Sequence, residues 1–153
     1  FIERSRALLE KYSDKIILPC DLSYVDTERK TLNVENLSAG GLFVDIGEAT
    51  AEKFAQEIMK AATVFVNGPM GVFEQGKSEF GTKTIWNALA ETAGTTILGG
   101  GDSIAATNKY GLKNRISYIC TGGGAMIRFL SGEELPAVKA LKRATERFGN
   151  DFR

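Results

Sequence analysis

The sequence predicts an α/β protein of three layers, α-β-α, built on a mostly parallel sheet, with a small antiparallel hairpin near residues 23–34. Three observations predict it. From residue 42 onward, short apolar runs alternate with segments of helical period. Those runs, at 63–66, 95–98 and 116–119, read as apolar rather than alternating, as strands covered on both faces do. Three of them lead straight into glycine-rich turns.

Each element has a local reason. Leu8, Leu9 and Tyr12 share one face of an opening helix over residues 2–12. Residues 15–18 read as a buried strand stopped by Pro19. Residues 23–25 and 31–34 read as two extended pieces joined by a turn at 26–30, hence the hairpin. Residues 42–44 open the alternation as a strand. Thr50 is placed to cap a helix whose apolar face is Phe54, Ala55, Ile58, Met59 and Ala62. Thr82 is placed to cap the next, with Ile85, Trp86, Leu89 and Ala90 inward and Gly94 as the stop. A short helix reaches Tyr110 before Gly111, and another follows the 116–119 strand through Leu130. Pro136 starts a last helix with Val138, Leu141, Thr145 and Phe148 on one face and Gly149 beyond it. This doubly covered, Rossmann-like layering carries no repeat and no linker, so residues 1–153 read as one domain.

Composition excludes several function classes. Hydrophobic residues make up 43% and charged residues 25%, an ordinary globular mixture. Lys plus Arg and Asp plus Glu both number 19, so nothing in the charge calls for nucleic acid or an anionic membrane. No apolar run is long enough to span a bilayer, and no signal peptide is visible. The chain begins at Phe1 rather than Met, which reads as a fragment or processed chain. Cys20 and Cys120 lie far apart, with neither disulfide nor metal spacing, and read as small reduced core residues. Histidine is absent, which removes Ser-His and Cys-His nucleophiles and the common zinc sites. Chemistry here rests on carboxylates, amides, lysine or a bound ion.

The glycine turns are the candidate site. Residues 67–74 read N-G-P-M-G-V-F-E, residues 99–103 read G-G-G-D-S, and residues 121–125 read T-G-G-G-A. In a parallel sheet all three lie at the carboxyl edge, where open α/β sheets bind ligands. Without side chains, backbone N–H groups can touch phosphate oxygens, and the helix after each turn adds its free amides and positive dipole end. Neither glycine triplet has the dinucleotide or P-loop spacing. Asp102 is either a capping or first-turn acid or a magnesium ligand beside phosphates. Ser103 either caps the helix or donates to a phosphate, and Glu74 is either a solvated acid or the partner of a ligand hydroxyl.

These segments resemble those of the phosphoglycerate kinases: N-G-P-x-G-V-F-E, G-G-G-D-T/S and T-G-G-G-A. Phe129-Leu130-Ser131-Gly132 and Leu135-Pro136-Ala137-Val138 match the next stretch of the family pattern, and Asp45-Ile46-Gly47 and Gly81-Thr82-Lys83 fall in register. The likeness runs over residues 2–141. It implies the carboxy-terminal, nucleotide-binding domain of a two-domain enzyme, incomplete at its amino-terminal side. That enzyme transfers a phosphoryl group between 1,3-bisphosphoglycerate and ADP, giving 3-phosphoglycerate and ATP. It further implies Mg-ATP or Mg-ADP as the bound nucleotide, a cytoplasmic setting, and a monomer at full length. The phosphoglycerate is held mainly by the other domain, so this chain alone is expected to be inactive.

Carried over by position, Glu74 holds the ribose hydroxyls, and Asn67, Gly68 and Pro69 line the nucleotide site. Gly100, Gly101, Asp102 and Ser103 hold the phosphates, with Asp102 on magnesium. Gly122, Gly123 and Gly124 offer amides to the phosphoryl group in flight. Three positions depart from the pattern. Tyr118 stands where many relatives have histidine, Ala137 where glycine is usual, and Phe43 where some relatives have a small residue near the adenine. From another class, a non-catalytic nucleotide- or sugar-phosphate-binding module would show the same loops.

Overall fold

The computed structural model describes residues 1–37 and 41–149. The chain falls into two compact units. One comprises residues 1–56 and 70–85, the other residues 57–69 and 86–153.

The first unit opens with helix α1 (Ile2–Tyr12) and centres on an antiparallel sheet of β1 (Asp21–Val25), β2 (Arg29–Asn33) and β3 (Phe43–Ile46), in the order β2-β1-β3. The expected hairpin is β1–β2, paired from Asp21↔Asn33 to Val25↔Arg29. β3 differs from its expected place. It pairs antiparallel with β1 rather than joining the parallel strands. Residues 15–18 also differ, because they form no strand. Among the described residues their run has no neighbouring strand to complete its backbone hydrogen bonds, and Ile17 and Leu18 are exposed.

A buried ion network holds this sheet against the Gly81 backbone. The Asp45 carboxylate is fully buried and accepts from Arg29 Nη1 at 2.9 Å, the Gly81 amide at 2.8 Å and its neighbour Ile46's amide. Arg29 also reaches Glu48 Oε1 and donates from Nη2 to the Ile46 carbonyl. Burial pushes the Asp45 carboxyl above its ordinary value, more than the Gly81 amide and the Arg29 charge pull it down.

Helices α2 (Glu48–Lys60) and α3 (Phe80–Glu91) contribute residues to both units. Both start two residues before the threonines expected to cap them. Thr50 and Thr82 are fully buried inside the first turns. The cap of α2 is supplied from β1 instead, where the Asp21 carboxylate accepts the Ala49 and Thr50 amides at 3.0 and 2.8 Å. Gly47 precedes the helix and leaves room for it, since a Cβ there would lie 2.2 Å from the Asp21 carboxyl carbon. The Thr82 hydroxyl accepts the Met70 and Gly71 amides.

The second unit holds the parallel sheet β4 (Thr63–Asn67), β5 (Thr95–Gly99) and β6 (Tyr118–Cys120), in the order β4-β5-β6. β6 starts two residues later than the sequence suggests. The same unit contains the second half of α3, α4 (Gly101–Lys109), α5 (Gly123–Leu130) and α6 (Pro136–Phe148), the last with no buried residue. Both crossovers advance the same way, so right-handed connections put α3 and α4 on one face. Their buried residues include Trp86, Leu89 and Ala106, with Leu98 of β5. Leu98 and Gly99 project to opposite faces. α5 reaches the Gly99 face through Met126, whose Cε would lie 1.8 Å from a Cβ at Gly99. Helix, sheet and helix therefore form the three expected layers. Cys20 and Cys120 are free, and both are half-buried rather than deep in the core.

Candidate functional site

Register sets the site. The parallel pairing aligns Asn67 with Gly99 and Gly99 with Cys120, so all three strands end at one level. The turns that leave them therefore emerge along one edge. There a cavity of about 290 Å³, at the lower end of small-molecule sites, is lined by Asn67, Gly68, Gly100, Gly101, Asp102, Ser103, Gly123, Gly124 and Ile127.

Two helices start at this cavity. α4 has Gly100 as its N-cap residue, and its first turn holds Asp102. α5 begins after Gly122, with Gly123 and Gly124 as its first residues. First-turn amides have no intrahelical partner, and two positive dipole ends converge on the same space. No side chain caps either helix, so neither cap competes for those amides.

Gly100 has to be glycine. Its φ of +92° with ψ of 146° suits no L side chain, and an added Cβ would sit 3.1 Å from Asn67 Oδ1. That close approach brings the β4 and β5 turns together. A second tie is the Gly68 amide, which donates to Ser103 Oγ at 2.8 Å. Ser103 is fully buried, so its hydroxyl joins two turns rather than standing free at the surface.

Of the residues picked out from sequence, the structure brings Asn67, Gly68, Gly100, Gly101, Asp102, Ser103, Gly123 and Gly124 to one cavity. Gly122 lies just outside, at the N-cap of α5, with its amide on Cys120 Sγ at 3.4 Å. Pro69 comes after Gly68 without lining the cavity. Glu74 is exposed and belongs to the first unit. Ile127 was not anticipated. Its signal was there in helical spacing, three residues after Gly124 on the helix that the glycine turn starts.

Among the described residues, Asp102 is the one charged residue lining the cavity, and it is exposed. No group of three or more His, Cys, Asp and Glu among the described residues could cage a metal. This donor set fits magnesium, which takes one or two carboxylates and completes its shell with phosphate oxygens and water.

These features define an open-sheet α/β protein with a glycine-lined cavity at the carboxyl edge of its parallel strands. The family model of phosphoglycerate kinase matches residues 1–133, and the chain belongs to that family. It is 40% identical over 151 residues to a phosphoglycerate kinase of Rubrobacter xylanophilus, covering 95% of this chain and 38% of the relative. The crystal structure of phosphoglycerate kinase from Pyrococcus horikoshii superposes with a TM-score of 0.84 at 37% identity, covering 96% of this chain and 37% of that one. The phosphoglycerate kinase structure from Coxiella burnetii gives 0.82 at 32% identity, covering 90% and 38%. The chain thus spans little more than a third of the length of these relatives. No helix among the described residues is long and apolar enough to cross a membrane.

Proposed function

We propose that the glycine cavity binds the phosphate chain of a magnesium nucleotide, and that this chain is the nucleotide side of a cytoplasmic kinase. The reaction moves a phosphoryl group between 1,3-bisphosphoglycerate and ADP, giving 3-phosphoglycerate and ATP. The observation that carries the reading is the shared level of Asn67, Gly99 and Cys120, which gathers three glycine turns and two helix starts on one space. Such a site sets fixed amide donors against spread negative charge, which is what phosphoryl transfer asks of a protein.

Within this reading Gly100, Gly101 and Ser103 shape the phosphate cradle, Asn67 and Gly68 form its nucleotide-side wall, and Pro69 fixes the turn behind that wall. Gly123 and Gly124 present amides to the phosphoryl group in flight, and Gly122, whose own amide is turned to Cys120 Sγ, sets the start of the helix that carries them. When bound, magnesium supplies positive charge against the phosphate oxygens, and Asp102 is its protein ligand. The phosphoglycerate belongs to a further domain of the enzyme, which acts as a monomer. Among the described residues no lysine or arginine lines the cavity, while Asp102 does, so a bare polyphosphate meets an uncompensated carboxylate. Binding should therefore need magnesium.

Isothermal titration with ADP, with and without magnesium, tests this. The unaltered protein should bind Mg-ADP, and Asp102→Ala should lose about tenfold in the magnesium-dependent part, the worth of one charge-assisted contact. Equal affinity in both proteins would return Asp102 to the role of a first-turn helix acid.

A further inference from the structure

Behind the cavity a buried hydrogen-bonded chain runs from its wall to the single tryptophan. The Gly68 amide donates to Ser103 Oγ at 2.8 Å. The Ser103 carbonyl accepts from Thr107 Oγ1 at 2.8 Å, one turn further along α4. Thr107 Oγ1 in turn accepts from Trp86 Nε1 on α3 at 2.8 Å. Ser103, Thr107 and Trp86 all have 0% exposure. A hydroxyl that back-bonds to the carbonyl four residues earlier bends or fixes its helix. Here that carbonyl belongs to the residue that grips the Gly68 turn. The Thr107 hydroxyl has one hydrogen, given to Ser103, and its lone pair takes the indole N–H, so its rotor is fixed from both sides.

We infer that Thr107 and Trp86 are positioning residues for the cavity: they lock the first turn of α4 in the place where its amides and the Gly68 turn face the same ligand. Neither touches the cavity. Their effect passes through Ser103, and it runs both ways. A ligand that pulls on the Gly101–Ser103 amides must be felt at the indole. This rests on the reading of the cavity as a polyphosphate site.

The chain has one tryptophan, so an amide-correlation NMR spectrum contains one indole N–H signal, which reports this link without further assignment. Titration with magnesium tripolyphosphate should move that signal with the same dissociation constant that calorimetry gives, although the indole is wholly buried. Thr107→Val keeps the side-chain shape and removes the hydroxyl. It should weaken tripolyphosphate about fivefold, the worth of one buried hydrogen bond. Thr107→Ser restores the hydroxyl and should bind within about twofold of the unaltered protein. Equal affinity in the unaltered and Thr107→Val proteins overturns the positioning role. If Thr107→Val does not fold, the unaltered protein decides: an indole signal that stays still through saturation overturns the link, and one that moves supports it. No tripolyphosphate binding to the unaltered protein overturns the reading of the cavity itself.

Discussion

At the scale of single residues, the cavity depends on a backbone conformation that one residue type tolerates. Gly100 combines φ +92° with an approach that would leave a Cβ 3.1 Å from Asn67 Oδ1. Gly100→Ala should therefore cost about 1–3 kcal/mol in denaturant unfolding, because the alanine forces the turn toward ordinary φ. It should also weaken Mg-ADP by about tenfold in calorimetry, because the α4 amides move with the turn. An alanine variant with unchanged stability would show that the turn relaxes freely. The glycine triplets were legible in the sequence because a fold does not place three bare residues in a row without a reason in conformation or approach. The job of Ser103 was not legible. Capping and phosphate donation both fit its position after the glycines, and the Gly68 amide that occupies its oxygen lies 35 residues away in sequence. Ile127 was hidden for a similar reason, since an apolar residue on a helix reads as core until the helix start is fixed in space.

At the scale of elements, α2 is held at its start by a carboxylate borrowed from a strand. Burial pushes the Asp21 carboxyl up, but the Thr50 hydroxyl and the Thr50 and Ala49 amides outweigh it and hold it below the ordinary 3.8. Glu48 is likewise held low: burial raises it, and the Thr31 hydroxyl, a backbone amide and Arg29 outweigh that. A carboxyl lowered by folding adds stability above its ordinary pKa and loses it as pH falls through the lowered value. Asp45, raised by burial, acts in the opposite sense and loses its contribution as pH rises through its raised value. Asp21→Ala should cost about 1 kcal/mol at neutral pH, as the loss of a helix cap does. That cost should shrink as pH falls below the ordinary aspartate value. Urea unfolding across the acid range checks it, and a cost independent of pH would rule out the charged cap. The sequence showed that a helix starts near Thr50 but not what caps it, because capping motifs are local and Asp21 lies 29 residues before the Thr50 amide it accepts. Strands β4 and β5 were plain, being short runs of β-branched and apolar residues that lead into glycine turns. The run at 15–18 had the same look but no partner, and a strand is defined by its partner.

At the scale of the whole molecule, charge and surface act together. Positive and negative side chains cancel at 19 each, and the isoelectric point lies near 6.6, so at that pH no net repulsion keeps copies apart. Large apolar side chains also face solvent in quantity, among them Leu141 at 68%, Phe129 at 67% and Leu130 at 61%. Leu141 sits on the apolar stripe of α6 with Val138 and Phe148, flanked by Lys139 and Lys142. Scattered apolar residues are ordinary, but a stripe along one exposed helix removes area from water when two molecules meet. The apparent mass in light scattering should therefore rise above 16.6 kDa with concentration near the isoelectric point. It should fall back toward that value at pH about 9, where net negative charge restores repulsion. Leu141→Glu should reduce the rise at the same pH by placing a charge in the stripe. A mass that stays at the single-chain value over the whole concentration range near the isoelectric point would show that the stripe is too small or too well solvated to draw two molecules together.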